Sequence, residues 1–126
     1  MNIAIVSVLI AGLMPLTCAV IAKAGKRNYD NHNPRQWLAQ QTGYRARANA
    51  AQANCFEAFP FFAIGILFAM HSQVDASRID LYASVFVVAR MIYIVSYIID
   101  QDKLRSLAWL VGLLSTIGLF SASMGS

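Results

Sequence analysis

The sequence predicts an all-α membrane protein, an antiparallel bundle of four transmembrane helices. Of the 126 residues, 58% are hydrophobic and only 13% are charged, whereas a soluble domain carries roughly 25% charged residues. The apolar residues fall into four stretches, and each is long enough to cross the bilayer core, which takes about 20 helical residues. Little sequence remains outside these stretches, so we predict one domain, residues 1–126, and no soluble module.

The four helices are predicted over about residues 3–24, 43–71, 80–99 and 104–122. The first span is interpreted as retained rather than as a signal peptide, because its charges follow the apolar stretch instead of preceding it. A polar connection containing Asn33-Pro34 leads to Gly43, where the second helix begins. At 1.5 Å per residue this second helix exceeds the hydrocarbon core, so its first turns should project from the membrane. The later connections are short, which predicts antiparallel neighbours.

The net charge of +4 is interpreted as a topology signal rather than as a nucleic-acid surface. The first and third connections, with the helix ends beside them, carry eight basic residues, and the second connection carries only Arg78. The eight are Lys23, Lys26, Arg27, Arg35, Arg45, Arg47, Lys103 and Arg105. The positive-inside rule then predicts loops one and three in the cytoplasm and both termini outside. Short loops and the absence of an organelle signal favour a bacterial inner membrane, and an endoplasmic reticulum membrane stays open as the alternative.

Polar residues at membrane depth mark the candidate site, since such residues are costly in lipid and usually face a bundle interior. Arg47, Asn54 and Glu57 are spaced seven and three residues apart, along one stripe of the second helix. The third helix carries Arg90, Tyr93 and Tyr97, spaced three and four apart and again on one face.

Simpler roles for these residues remain open. Glu57 and Arg90 could form an interhelical ion pair with no other function. The tyrosines could anchor the helix at the interface, and Arg47 could extend its side chain to the lipid headgroups. Cys18 and Cys55 are interpreted as small buried packing residues. The histidines and cysteines are too dispersed for a zinc site, so no metal is predicted.

The second helix carries a specific resemblance. Residues 45–60, RARANAAQANCFEAFP, resemble the signature of the MAPEG family, the membrane-associated proteins in eicosanoid and glutathione metabolism. In this signature a basic cluster precedes Asn-x-x-Glu, and a proline follows. The pattern Arg90-x-x-Tyr93-x-x-x-Tyr97 is similar to the family's third helix, and Arg105-Ser106 to the start of its fourth. The resemblance covers nearly the whole chain and suits a bacterial-type member similar to the microsomal glutathione transferases.

The resemblance implies a homotrimer that holds glutathione at its subunit interfaces. The polar residues of the spans also exceed what one four-helix monomer can pair. Arginines can bind the two carboxylates of glutathione, and Glu57 can accept from its amino group. The residues expected to bind glutathione are Arg47, Asn54, Glu57, Arg90, Tyr93 and Tyr97.

The resemblance also implies a catalytic role for Arg105, with Ser106 as a second candidate. A cation beside the sulfur favours the thiolate, which is the nucleophile. Trp109 stands where some members carry a tyrosine that contacts the sulfur, and indole cannot act as an acid at neutral pH.

The predicted function is a glutathione-dependent transferase or peroxidase acting on hydrophobic electrophiles from the bilayer. One alternative is a non-catalytic scaffold of the same family that binds a lipid and presents it to a partner. A small multidrug transporter is a weaker alternative. Its membrane Glu belongs in the first helix, which has no Asp or Glu here.

Overall fold

The structure, a computed structural model, describes residues 2–125, which form five α-helices. The helices are α1 (Ile3–Lys23), α2 (Pro34–Ala39), α3 (Gly43–His71), α4 (Ala76–Ile98) and α5 (Asp102–Gly125). Among the described residues, four helices are long and apolar enough to cross a membrane, namely α1, α3, α4 and α5. The chain is therefore an integral, multi-pass membrane protein, as the sequence predicts.

Local sequence signals explain several helix ends. The Asn2 side chain caps α1 by accepting a hydrogen bond from the backbone N–H of Ile5 at 3.1 Å. Pro34 is the first residue of α2. A backbone N–H at this position has no acceptor within the helix, so proline, which lacks the N–H, is tolerated there. Helix α4 begins at Ala76, earlier than the predicted residue 80, because the preceding turn is tight: Gln73 has a φ of 58°. That turn shortens the second connection.

The spanning helices form an antiparallel bundle, because contacts between neighbouring helices run in opposite order along the two segments. Such contacts join Gly12 to Phe59 and Ala22 to Arg45 (α1 with α3), Phe62 to Phe86 and Arg47 to Ile98 (α3 with α4), and Tyr82 to Gly118 and Tyr97 to Arg105 (α4 with α5). The ends of α1 and α4 and the start of α3 consequently lie at one end of the bundle. The two predicted cytoplasmic connections share that end.

Stacked aromatic rings and small residues fill the core. The buried rings of Phe62 and Phe86 lie parallel, with centroids 3.8 Å apart, and connect α3 to α4. Ala48, Ala51 and Ala69 are completely buried, so α3 packs closely against its neighbours. Large apolar side chains such as Leu9, Leu67, Leu81 and Leu107 are instead exposed on the outer faces, as expected for surfaces that contact lipid.

Gly118 permits the close approach of α5 to α4. A Cβ atom at this position would lie 2.5 Å from Cε1 of Tyr82, whereas a Cβ atom at Gly125 would meet no atom within 4 Å. We expect Gly118→Ala to lower the free energy of unfolding by about 1–3 kcal/mol through overpacking. The change should become neutral or stabilising in a Tyr82→Ala background, because alanine is favoured over glycine in helices by about 1 kcal/mol.

Unfolding in detergent by denaturant checks this double-mutant cycle, with Gly125→Ala as the control. Equal effects of Gly118→Ala in both backgrounds would show that the Tyr82 contact does not limit helix packing.

Candidate functional site

One face of α4 presents a cation followed by two aromatic rings. The Arg90 guanidinium carbon lies 4.1 Å from the ring centroid of Tyr93, and the Tyr93 and Tyr97 rings meet edge to face at 5.7 Å. Arg105 of α5 completes the series, with its guanidinium carbon 4.5 Å from the centroid of Tyr97. Cations over aromatic faces are attracted by the ring quadrupole. Four predicted site residues are thus in contact as one stack, which we call the Arg–Tyr stack.

Arg90 is buried, with only 3% of its surface exposed. Its Nη2 donates a hydrogen bond to Sγ of Cys55 at 3.2 Å. Among residues 2–125, Arg90 has no carboxylate within ion-pair distance, and the interhelical pair with Glu57 that the sequence left open is not formed. The buried cation therefore contacts a sulfur and a ring, and no carboxylate of the described residues balances its charge.

Two cavities adjoin the Arg–Tyr stack. The first has a volume of about 270 Å³, and its polar lining consists of Asn54, Glu57, Arg90, Trp109 and Thr116. The second has a volume of about 390 Å³ and is lined by Tyr93, Arg105, Ser106, Trp109 and Leu110. Trp109 lines both. We call the two together the Trp109 groove, which is bounded by α3, α4 and α5.

Asn54 and Glu57 offer free polar atoms to this groove. The Asn54 side-chain oxygen is buried, and within the described chain it has no hydrogen-bond partner. Buried polar atoms are nearly always hydrogen-bonded, so an unpaired one indicates a missing partner. Glu57 is exposed, and no cation of the described chain pairs with it. One acceptor and one carboxylate therefore remain available opposite Arg90.

Arg47 lies apart from these residues. Its Nε donates to the backbone oxygen of Ile98, the last residue of α4, at 3.0 Å, and it lines neither cavity of the groove. Arg45 makes the equivalent contact with the end of α1, where Nη1 donates to the oxygen of Ala22 at 3.0 Å. Helix ends leave carbonyls unpaired, and cations stabilise them. Both arginines thus cap the ends of neighbouring helices.

Sequence reasoning did not identify Cys55 as a partner of Arg90. A cysteine inside an apolar helix carries no spacing signal of its own, and only the packing of α3 on α4 places its sulfur beside the guanidinium. Trp109 was recognised only as a departure from a family pattern. Its position as the wall shared by two cavities depends on the packing of α5.

A second face of α3 is also polar and open. Its Asn49 and Gln52 line a separate cavity of about 270 Å³ together with Arg35 of α2. The side-chain oxygen of Gln52 is buried and, in residues 2–125, has no hydrogen-bond partner. Helix α3 therefore presents, on two different faces, polar groups that have no partner among the described residues.

The fold and the groove define a class: a small four-span membrane protein with a cationic, aromatic-lined site inside its helix bundle. A sequence model of the MAPEG family matches residues 3–125, so the chain belongs to the MAPEG family. This family includes glutathione transferases and peroxidases as well as other members. Neither the curated proteins nor the solved structures include a significant match to the chain.

The capping contacts generate a stability prediction. Arg45→Met and Arg47→Met should each lower the free energy of unfolding by about 1–3 kcal/mol, because each removes a charged donor from a part-buried carbonyl. Thermal unfolding in detergent measures the loss, with the exposed Arg27→Met as the matched control. An Arg47→Met protein as stable as wild type would show that the contact with Ile98 contributes nothing to stability.

Proposed function

We propose that this protein binds glutathione in the Trp109 groove and activates its thiol for attack on lipophilic electrophiles, as a membrane glutathione transferase or peroxidase. Membership of the MAPEG family supports the proposal. The observation that carries it is the composition of the groove, which brings Arg90 and Arg105 together with Asn54 and Glu57. Arg90 shares one cavity with an unpaired amide oxygen and a free carboxylate, and Arg105 lines the adjoining cavity.

The chemistry of glutathione matches these groups. It has two carboxylates, one amino group, two peptide groups and a thiol. Arg90 can bind a carboxylate through charge-assisted hydrogen bonds, which would also provide the counter-charge that this buried guanidinium lacks. Glu57 can accept from the amino group, and the Asn54 oxygen can accept from a peptide N–H. Tyr93 and Tyr97 hold the guanidinium groups through their rings and add hydroxyls.

Arg105 is the proposed activator of the sulfur. Its stacking on Tyr97 restrains the guanidinium beside the second cavity, where Ser106 supplies a hydroxyl. A cation at this place favours the thiolate over the thiol, and the thiolate then attacks the electrophile. Trp109 can donate one hydrogen bond from its indole N–H and adds an apolar wall. Arg47, which lies outside the groove, would act from a neighbouring copy of the chain or through the end of α4.

The proposed active form is a homotrimer, with loops one and three facing the cytoplasm of a bacterial cell. Polar groups on two faces of α3, represented by Glu57 and Gln52, are left open by one copy of the chain. Exposing both faces to lipid would be costly. Packing α3 against a second copy would remove them from lipid, and a closed ring of three would satisfy every copy equally.

The trimer generates the first prediction of this section. Native mass determination in detergent should give three chains per particle, the number that the family resemblance implies, and such a closed ring pairs every open α3 face. Glu57→Leu combined with Gln52→Leu removes both polar faces and serves as the comparison variant. A wild-type protein found only as a monomer or dimer would argue against both the assembly and an interfacial site.

The activator generates the second prediction. Wild-type protein should bind glutathione in calorimetry and show thiolate absorbance near the ultraviolet edge. Arg105→Ala should retain much of the binding but lose the thiolate signal, and its pH–rate profile with a chlorinated nitrobenzene should move upward by about one unit or more. Arg105→Lys should recover part of the effect, since a point charge also stabilises a thiolate.

Glu57→Gln is the matched control, because it removes a charge from the groove while leaving Arg105 in place. It should weaken binding with little change in the pH profile of the remaining activity. If Arg105→Ala abolishes binding while the residual bound thiol titrates normally, Arg105 anchors a carboxylate instead. If wild-type protein binds glutathione but shows neither thiolate absorbance nor turnover, the proposed enzymatic function is wrong.

One observation favours the lipid-binding scaffold as a second candidate. An apolar groove of about 390 Å³ lies between α4 and α5 and is lined by residues such as Val88, Ile92, Leu104 and Val111. By helical periodicity it opens on the opposite side of α5 from Arg105 and Trp109. A lipid chain could occupy it independently of the Trp109 groove. If wild-type protein shows no thiolate signal with glutathione, lipid binding by a non-catalytic scaffold becomes the better explanation of the structure.

A further inference from the structure

The first cavity of the Trp109 groove changes from polar to apolar along its length. One end is lined by Asn54, Glu57 and Arg90, and the other by Phe61 and Leu113. Helices α3 and α5 both begin at the predicted cytoplasmic end of the bundle, so Phe61 lies about one turn beyond Glu57 and further from that end. The polar end matches the charged groups of glutathione, whereas the apolar end offers them no partner.

A stacked aromatic pair holds Phe61 at the apolar end. The Phe61 ring lies on the Phe120 ring of α5, with centroids 5.0 Å apart and an angle of 22° between the ring planes. Gly65 permits this approach, because a Cβ atom there would lie 3.2 Å from Cε2 of Phe120. Phe61 is nevertheless 45% exposed. Phe120 therefore fixes the orientation of a ring whose remaining surface stays open.

Trp109 supplies a second open ring to the same cavity. It is 43% exposed, and it also forms a wall of the second cavity, which Arg105 and Ser106 line. A molecule that lies against Trp109 is therefore adjacent to the place proposed for the glutathione sulfur.

Contact with lipid alone explains these rings less well. The outer faces of the bundle meet lipid through aliphatic side chains such as Leu9, Leu67 and Leu81, and acyl chains pack equally well on those. Aromatic rings attract other rings, stacked or edge to face, by more than the contact area that they bury. Two open rings in one cavity therefore indicate a ligand that is itself flat and conjugated.

We propose that Phe61 and Trp109 are specificity-determining residues that select flat, conjugated electrophiles, above all electron-poor aromatic rings, over aliphatic ones. Phe120 is a positioning residue that acts through its stacking on Phe61. The inference rests on the proposed glutathione transferase function and names its substrate class. An electron-poor ring carries positive charge on its face, and the negative faces of the indole and phenyl rings attract it.

The reaction of such a substrate is a displacement. With chlorodinitrobenzene, the glutathione thiolate attacks the ring carbon that bears the chlorine, and a C–S bond forms. The C–Cl bond breaks, chloride leaves with the bonding electron pair, and nothing is oxidised or reduced. The nitro groups that activate this carbon also make the face of the ring electron-poor. Stacking and chemical reactivity therefore select the same molecules.

The test compares two electrophiles that both lose a halide to the thiolate, chlorodinitrobenzene and iodohexane, with the full-length protein. Phe61→Leu should lower the ratio of their kcat/KM values by roughly two- to tenfold, the contribution of one aromatic contact. Phe61→Tyr keeps a ring and should retain the wild-type ratio. Phe68→Leu is the matched control, because it removes a similarly exposed ring of α3 that lines neither cavity of the groove.

Phe120 is tested by the same ratio. Phe120→Leu should lower it, and Phe120→Tyr should preserve it, since only a ring holds Phe61 by stacking. A general loss of stability would change kcat/KM for both electrophiles alike and leave the ratio unmoved.

A binding measurement without glutathione tests the aromatic site apart from catalysis. The sequence contains two tryptophans, so Trp37→Phe leaves Trp109 as the only one. Dinitrobenzene has no halide to lose, and it should quench the Trp109 fluorescence saturably at a fixed detergent concentration. Adding Phe61→Leu should weaken this binding by roughly two- to tenfold, and adding Phe68→Leu should not. If Trp37→Phe does not fold, the kcat/KM ratios in the wild-type background decide the test.

Three results would overturn the inference. They are an unchanged ratio in Phe61→Leu, an equal effect of Phe68→Leu, or a changed oligomeric mass in Phe61→Leu, which would make this ring a subunit contact. Turnover of both electrophiles without these ring effects leaves the proposed function standing. Conversely, quenching that depends on Phe61 in a protein without turnover overturns the transferase and leaves the aromatic site.

Discussion

The structure depends on one constraint: the guanidinium of Arg90 is buried inside a membrane bundle without a carboxylate partner among the described residues. Burial of an uncompensated charge is strongly unfavourable, so its neighbours must supply compensation. They do so with the sulfur of Cys55 and the ring of Tyr93, and the guanidinium also lines an adjoining cavity. The candidate ligand site is built around this cation, which extends from α4 to Cys55 of α3 and lines the first cavity of the groove.

The same constraint organises the surrounding helices. Tyr93 is held between Arg90 and Tyr97, and Tyr97 in turn contacts Arg105 of α5, so a continuous line of ring and cation contacts runs from α4 to α5. A cation restrained by an aromatic ring is already oriented before a ligand arrives, which reduces the entropy lost on binding. The groove beside these residues is therefore preorganised, and Trp109 forms its common wall.

Periodicity predicted part of this arrangement correctly. Spacings of three and four residues place Arg90, Tyr93 and Tyr97 on one helix face whatever the tertiary structure, and the observed stacking follows from that spacing. Membership of the family was predicted from residues 45–60 and is confirmed by the match over residues 3–125. The roles of the individual site residues and the trimer stay predictions.

The sequence by itself determined the number of spans, their antiparallel order and the residues that share a helix face, because hydrophobic length and helical periodicity are properties of the chain alone. Only the tertiary structure decided which faces meet. Neighbouring helices can rotate and slide against each other without changing either pattern, so the sequence left a Glu57–Arg90 pair open. The packing instead places Cys55 beside Arg90, and it places Arg47 where its side chain donates a hydrogen bond to the last residue of α4. Side-chain volumes at the helix crossings select that register, and volume complementarity between distant segments is not visible in a linear pattern.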